Sequence, residues 1–178
     1  MKLQAALLVI IVTAAISCTA RAGEPEGEWI SLFNGKNLDG WIIKVAKSEL
    51  GENPGSMFRV EDGTLTVSYD EFPGEKFDGE FGHIFTVNAY TNYRFRCEYR
   101  FIGEQVPGAP KWAYANSGIM IHCPHPSTMP VEQRFPHSVE FQLLGDTRTT
   151  GSLYTPGCMV DYNGEEMGKS VKSELPSL

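Results

Sequence analysis

Between residues 93 and 101 the chain alternates with a period of two: Tyr93, Phe95, Cys97, Tyr99 and Phe101 are interleaved with Arg94, Arg96, Glu98 and Arg100. Only a β-strand sorts such residues into one apolar face and one charged face, because a helix mixes them within a turn. The apolar side must pack on something. The other side carries four charges in nine residues, more than a strand needs to stay wet, and is therefore a candidate functional surface.

The same period recurs along the chain. Leu32, Phe33, Leu38 and Trp41 surround two turn signals, Asn34-Gly35 and Asp39-Gly40, and Ile42, Ile43 and Val45 follow as a short strand, with Trp41 assigned to the core. Residues 57–60 and 64–69 predict a hairpin across Glu61-Asp62-Gly63, where Asp-Gly supplies the positive φ angles. Its register puts Phe58, Val60, Leu65, Val67 and Tyr69 on one face. Further strands are predicted at 83–87, 116–122, 137–144 and 150–154. No segment sustains a helical period and none is repeated. Many short alternating strands predict an all-β sandwich of two packed antiparallel sheets.

The first residues follow a different logic. Lys2 precedes an apolar run, residues 3–17, that is short for a membrane span and suited to the hydrophobic region of an export leader. Two cleavage readings compete. Ala20-Arg21-Ala22 offers the small-x-small pattern of ordinary signal peptidase, whereas Ala15-Ile16-Ser17-Cys18 is a loose lipoprotein box that would anchor the chain through a lipid on Cys18. The first reading gives a leader of residues 1–22 and a single domain of residues 23–178, exported to a periplasmic or extracellular compartment, with no membrane span after processing. The leader contains two bases and no acid, so the remaining 156 residues carry 13 bases and 22 acids. That balance repels a phosphate backbone and excludes nucleic acid as a natural partner. Of the cysteines beyond the leader, Cys97 falls on an apolar strand face and reads as a buried thiol. Cys123 and Cys158, beside prolines and glycines, can form one disulfide in an oxidising compartment.

Three strands place chemistry on one side. In 98–101, 119–122 and 139–144, the residues Cys97, Tyr99, Phe101, Ile119, Ile121, Val139, Phe141 and Leu143 are assigned to the core, which turns Glu98, Arg100, Met120, His122, Glu140, Gln142 and Leu144 outward. If these strands pair in one sheet, side chains two apart on a strand stand roughly 6.6 Å from each other and neighbouring strands about 4.8 Å apart, so they converge on a sugar-sized ligand. A solvated face laced with ion pairs is the plain alternative. Lysine, the common solubilising residue, is absent from all three strands. His83 and His137 stand at strand starts as structural or rim residues, and His125 lies between prolines in a loop. Trp112 and Tyr114, on the loop before Asn116, are placed to stack on a sugar ring or to cover the sheet edge.

At these positions the chain resembles a known family. The segments Leu-Phe-Asn-Gly-Lys-Asn-Leu-Asp-Gly-Trp at 32–41, Glu-Tyr-Arg at 98–100, Asn-Ser-Gly-Ile at 116–119, Ser-Val-Glu-Phe-Gln at 138–142 and Thr-Gly-Ser-Leu-Tyr at 150–154 are similar, in order, to successive motifs of the 3-keto-disaccharide hydrolase domain family. The likeness runs over residues 29–162. It implies a concanavalin A-like jelly roll acting on carbohydrate, specifically on oxidised glycosides. A ketone at C3 of a sugar acidifies the hydrogen on C2, so a base can remove it while the glycosidic oxygen leaves C1. The assignment that follows makes Glu140 the base, His122 the acid and Arg100 the electrophile on the C3 oxygen. Glu98, Gln142, Asn116, Trp112 and Tyr154 then bind substrate. A divalent metal held by His122, Glu140 and Glu98 is the alternative electrophile.

Two departures qualify the likeness. His122 stands where the family commonly has arginine, and the chain stops before the strands with which the family continues, so the expected roll lacks its C-terminal strands. The rival functional reading on the same scaffold is a non-catalytic carbohydrate-binding module of the cell envelope, and a third is a purely structural envelope domain.

Overall fold

The computed structural model describes residues 7–11, 27–73, 76–145 and 150–167. The described residues are all-β apart from three single 3-10 turns, and every strand pairing is antiparallel. No helix among them is long and apolar enough to cross a membrane.

The predicted hairpin forms. β3 (Phe58–Glu61) and β4 (Thr64–Val67) pair with Phe58 opposite Val67 and Val60 opposite Leu65, which is the shared face read from the sequence. Asp62 and Gly63 have φ values of 49° and 75°, the two left-handed residues that a tight hairpin turn demands. β2 (Trp41–Val45) pairs with β5 (Gly82–Thr86). Between these pairs sits the core: Ile43, Val45, Met57 and Phe58, with Leu38, Val67, Tyr69, Phe72 and Ile84 against it. Gly82 is required there, because a Cβ would meet the Met57 sulfur and stand 2.9 Å from the Phe58 ring.

Two side chains tie loops to this core. Asn34 accepts from the backbone N–H groups of Lys36 (2.8 Å) and Asn37 (3.0 Å), closing the first turn of the 32–41 motif. Lys44, only 2 % exposed, donates to the carbonyls of Val45 (2.9 Å), Ser48 (2.8 Å) and Val131 (3.2 Å). Burial lowers its pKa, and three carbonyl acceptors are what keep a buried ammonium tolerable. Trp41 is half-buried, with an indole N–H that has no acceptor among the described residues.

The charged alternation of 93–101 becomes a strand only in its second half. β6 (Glu98–Ile102) turns Tyr99 and Phe101 inward and Glu98 and Arg100 to solvent, as read, but residues 93–97 are irregular and Tyr93 and Phe95 are exposed. β6 pairs residue for residue with β1 (Leu7–Ile11), from Leu7 opposite Ile102 to Ile11 opposite Glu98. β1 also pairs with β4, giving the sheet order β3-β4-β1-β6. The leader reading and this sheet thus lay claim to the same five apolar residues. Both cleavage positions and Cys18 lie outside the described residues.

β7 (Asn116–Ile121), β8 (Val139–Leu144) and β9 (Leu153–Tyr154) form a separate three-stranded sheet in that order. β6 therefore does not share a ladder with β7 and β8, which corrects the single-sheet placement. β10 (Val160–Tyr162) and β11 (Glu165–Met167) add a hairpin across Asn163-Gly164. The described strands fall into four sheets.

Candidate functional site

The site is built on β7, β8 and β9. Register places Met120 and Tyr154 on either side of Glu140, and Gly118 opposite Gln142, so these five side positions and Asn116 share one face of the sheet. Gln142 donates from Nε2 to Asn116 Oδ1 (2.8 Å), and Asn116 donates from Nδ2 to the Trp112 carbonyl (2.7 Å). The two amides are thereby fixed to each other and to the loop that carries Trp112.

This face is sheltered, not solvated. Glu140 is 9 % exposed and Gln142 7 %, whereas Phe141 between them is 42 % exposed. At Glu140, Phe141 and Gln142 the exposure is the reverse of that read, whereas Leu143, on the side of Phe141, is buried at 8 % as expected; among the described residues nothing covers Phe141 as it would be covered in a closed sandwich. Glu140 nevertheless lies outside the hydrophobic cluster of Ile43, Val45, Met57 and Phe58. It sits on the amide-bearing face.

The carboxyl group of Glu140 has no hydrogen-bond or ion-pair partner among the described residues, and burial alone pushes its pKa up to about 7. A lone desolvated carboxyl of this kind exchanges a proton near neutrality, which is the property of a general base or acid. Gly118 makes room for it. A Cβ at Gly118 would overlap Glu140 Oε1 and come within 2.6 Å of its Cγ, so the carboxyl lies in a hollow that only glycine leaves open. The sequence reading quoted Gly118 only as part of a motif. Glycine inside an otherwise regular strand was the available sign of close approach.

The loop tied to Asn116 carries an aromatic stack. Trp112 lies on Phe81 with ring centres 5.4 Å apart and planes at 15°, and Phe135 is tilted against both at 6.3 and 4.8 Å. More than half of Trp112, 56 %, stays exposed. Tyr114 is exposed as well. His83 is packed behind the stack, edge-on to Phe135 at 5.8 Å, with Nε2 2.6 Å from the Arg134 carbonyl oxygen; burial lowers its pKa to about 4 and keeps it neutral. His83 is structural.

The remaining sequence candidates are not joined to Glu140 by any recorded contact. Glu98 and Arg100 project from β6 in the other sheet. His122 follows β7 in a left-handed conformation (φ 58°), so strand alternation ends at Ile121 and does not carry the imidazole onto the Glu140 face. Ala115, at the other end of β7, is left-handed too (φ 45°). Among the described residues no three His, Cys, Asp or Glu side chains gather as metal ligands, so Glu98, His122 and Glu140 do not fit a metal centre. His125 caps the turn at 126–128 through Nδ1.

The model of the 3-keto-alpha-glucoside-1,2-lyase-like domain matches residues 28–176. The chain belongs to this family. Comparison with curated proteins and with solved structures gives no match. The 3-keto-alpha-glucoside-1,2-lyase-like match takes in the Asn116 strand, the Glu140 strand and the Trp112 loop together, and its all-β ladders are consistent with a jelly-roll-like superfamily.

Proposed function

We propose that the protein cleaves 3-keto-glycosides, with Glu140 removing the C2 hydrogen. The observation that carries this reading is the isolated, sheltered carboxyl group of Glu140, titrating near 7 on a face that also offers two ordered amides. The C2 hydrogen is acidified by the adjacent ketone. Its removal leaves an enolate that expels the glycosidic oxygen from C1 and forms a C1=C2 double bond; water adding back across that bond gives net hydrolysis. Asn116 and Gln142 bind hydroxyls, and Trp112 offers its open ring face to the sugar, where C–H groups stack on an aromatic plane. Tyr154, opposite Glu140 across the ladder, completes the binding side. Arg100, His122 and Glu98 are the candidates for the enolate oxygen, the leaving oxygen and a substrate hydroxyl, roles that require these groups, which stand off the Glu140 face, to approach it when substrate binds. Export, through a leader in residues 1–22 or a lipid on Cys18, fits a carbohydrate substrate found outside the cytoplasm.

The test is turnover of a 3-keto-glucoside in deuterated water, followed by NMR. Glycoside cleavage with deuterium appearing at C2 of the recovered substrate supports the reading, and both are lost in Glu140→Gln. Binding of the ketosugar without cleavage by the intact protein would establish the binding module in its place.

A further inference from the structure

Two half-buried cysteines from different loops meet at one residue. Cys158 donates from Sγ to the Ser138 carbonyl oxygen at 3.0 Å, and Cys123, two residues past Ile121, which pairs with Val139 next to Ser138, comes within electrostatic reach of Cys158. The loop that carries Cys158 is seated firmly there. Ser138 N–H donates to the Pro156 carbonyl at 3.0 Å, and Gly157 lies so close to His137 that a Cβ would stand 2.7 Å from its Nε2. Ser138 itself is 1 % exposed. No recorded contact brings Cys97 to either thiol.

We propose that Cys123 and Cys158 are a disulfide site, and that the bond clamps the β7-β8-β9 sheet at the end where Glu140 lies. Cys123 follows β7, Cys158 follows β9, and Ser138 immediately precedes β8, so the bond would strap the two outer strands across the start of the central one. The two cross-strand neighbours of Glu140, Met120 and Tyr154, belong to those outer strands. The reaction is thiol–disulfide exchange with a small-molecule disulfide. One cysteine attacks it and releases one thiol, the second cysteine displaces the other, and the two cysteines are oxidised by two electrons while the reagent becomes two thiols. Burial pushes the Cys123 thiol up to about 11, so the exchange is slow at neutral pH and quickens as pH rises.

The experiment uses the whole protein, incubated with oxidised glutathione, alkylated with N-ethylmaleimide and digested without reduction for mass spectrometry. A linked Cys123–Cys158 peptide two hydrogens lighter than its separate parts is the expected result, with Cys97 alkylated. Alkylation of both Cys123 and Cys158, glutathione retained on both, or a link to Cys97 overturns the proposal. Reduction of the linked protein should lower its thermal midpoint by about 5–10 °C, and the reductant should have no such effect on Cys158→Ser. A midpoint that reduction leaves unchanged refutes the clamp. None of these readouts requires a substrate, so they stand apart from the proposed cleavage.

Discussion

Glu140→Gln separates the electrostatics of the site from its shape. The substitution keeps the size of the side chain and removes its ionisation. In the folded protein the carboxyl titrates near 7, raised by burial, while in the unfolded chain it titrates at the ordinary value of 4.5. Below the unfolded value the group is protonated in both states and contributes no pH dependence. As pH rises from 4.5 to 7 the unfolded chain gives up its proton and the folded one holds it, so stability falls; above 7 the loss is complete, at about 3 kcal/mol. The glutamine protein has no such loss. Its stability advantage over the parent should therefore grow by about 3 kcal/mol between pH 4.5 and pH 8, measured by urea titration at intervals of half a pH step. In thermal scans that corresponds to about 6–12 °C for a chain of this size. Catalysis should move the opposite way, with turnover of a 3-keto-glucoside falling by about 10²–10⁴-fold, the range supplied by a positioned general base. A stability difference that stays flat across this pH range would refute the reasoning, because it would mean that the carboxyl is solvated or paired in the fold.

Three further perturbations bear on the same face. Gly118→Ala should push the carboxyl out of its hollow and toward water; turnover falls at least about tenfold, and the acidic limb of the kcat/KM profile moves below pH 7 while circular dichroism is retained. Trp112→Ala should raise KM for a 3-keto-glucoside by about 5-fold with kcat little changed, as expected for lost stacking at roughly 1 kcal/mol, and equal kcat and kcat/KM losses would contradict a pure binding role. His83, neutral to about pH 4 in the fold against 6.5 unfolded, binds fewer protons than the unfolded chain between those values, so its contribution is lost as pH falls from 6.5. His83→Gln should flatten that limb in urea titrations. Glu140 and His83 thus act with opposite slopes between pH 4.5 and 6.5, and the parent protein alone will look insensitive to pH where the two variants do not.

Much of the fold was legible because it depends on local signals. The Asp62-Gly63 turn fixed the register of β3 and β4, and the short apolar runs at 42–45 and 83–87 found each other as β2 and β5. Asn163-Gly164 carries the same hairpin signal, and β10 pairs with β11 across it. What local signals do not encode is the identity of a distant partner. The alternation at 93–101 is strong throughout, yet among the described residues only 98–102 of it pairs, with a partner, β1, from residues 7–11 at the far end of the chain. Those five residues are apolar at every position, a pattern that suits an export leader and a strand within a sheet equally well.

Glu140 shows the same division at the scale of the site. Periodicity correctly placed Met120, Glu140 and Gln142 on one face of β7 and β8, because alternation is a local property. Hydrophobicity then assigned Phe141 inward and Glu140 outward, and the structure gives the reverse exposure. An ordinary strand that buried a carboxyl and an amide while exposing a phenylalanine would lose free energy on both sides. Here the amide is satisfied by Asn116, Gly118 makes space for the carboxyl, and the carboxyl itself stays unpaired. Residues arranged for stability alone would pair or expose that group, and a carboxyl kept sheltered and unpaired is what supports the proposed role of Glu140; the charged face of β6 lies in another sheet.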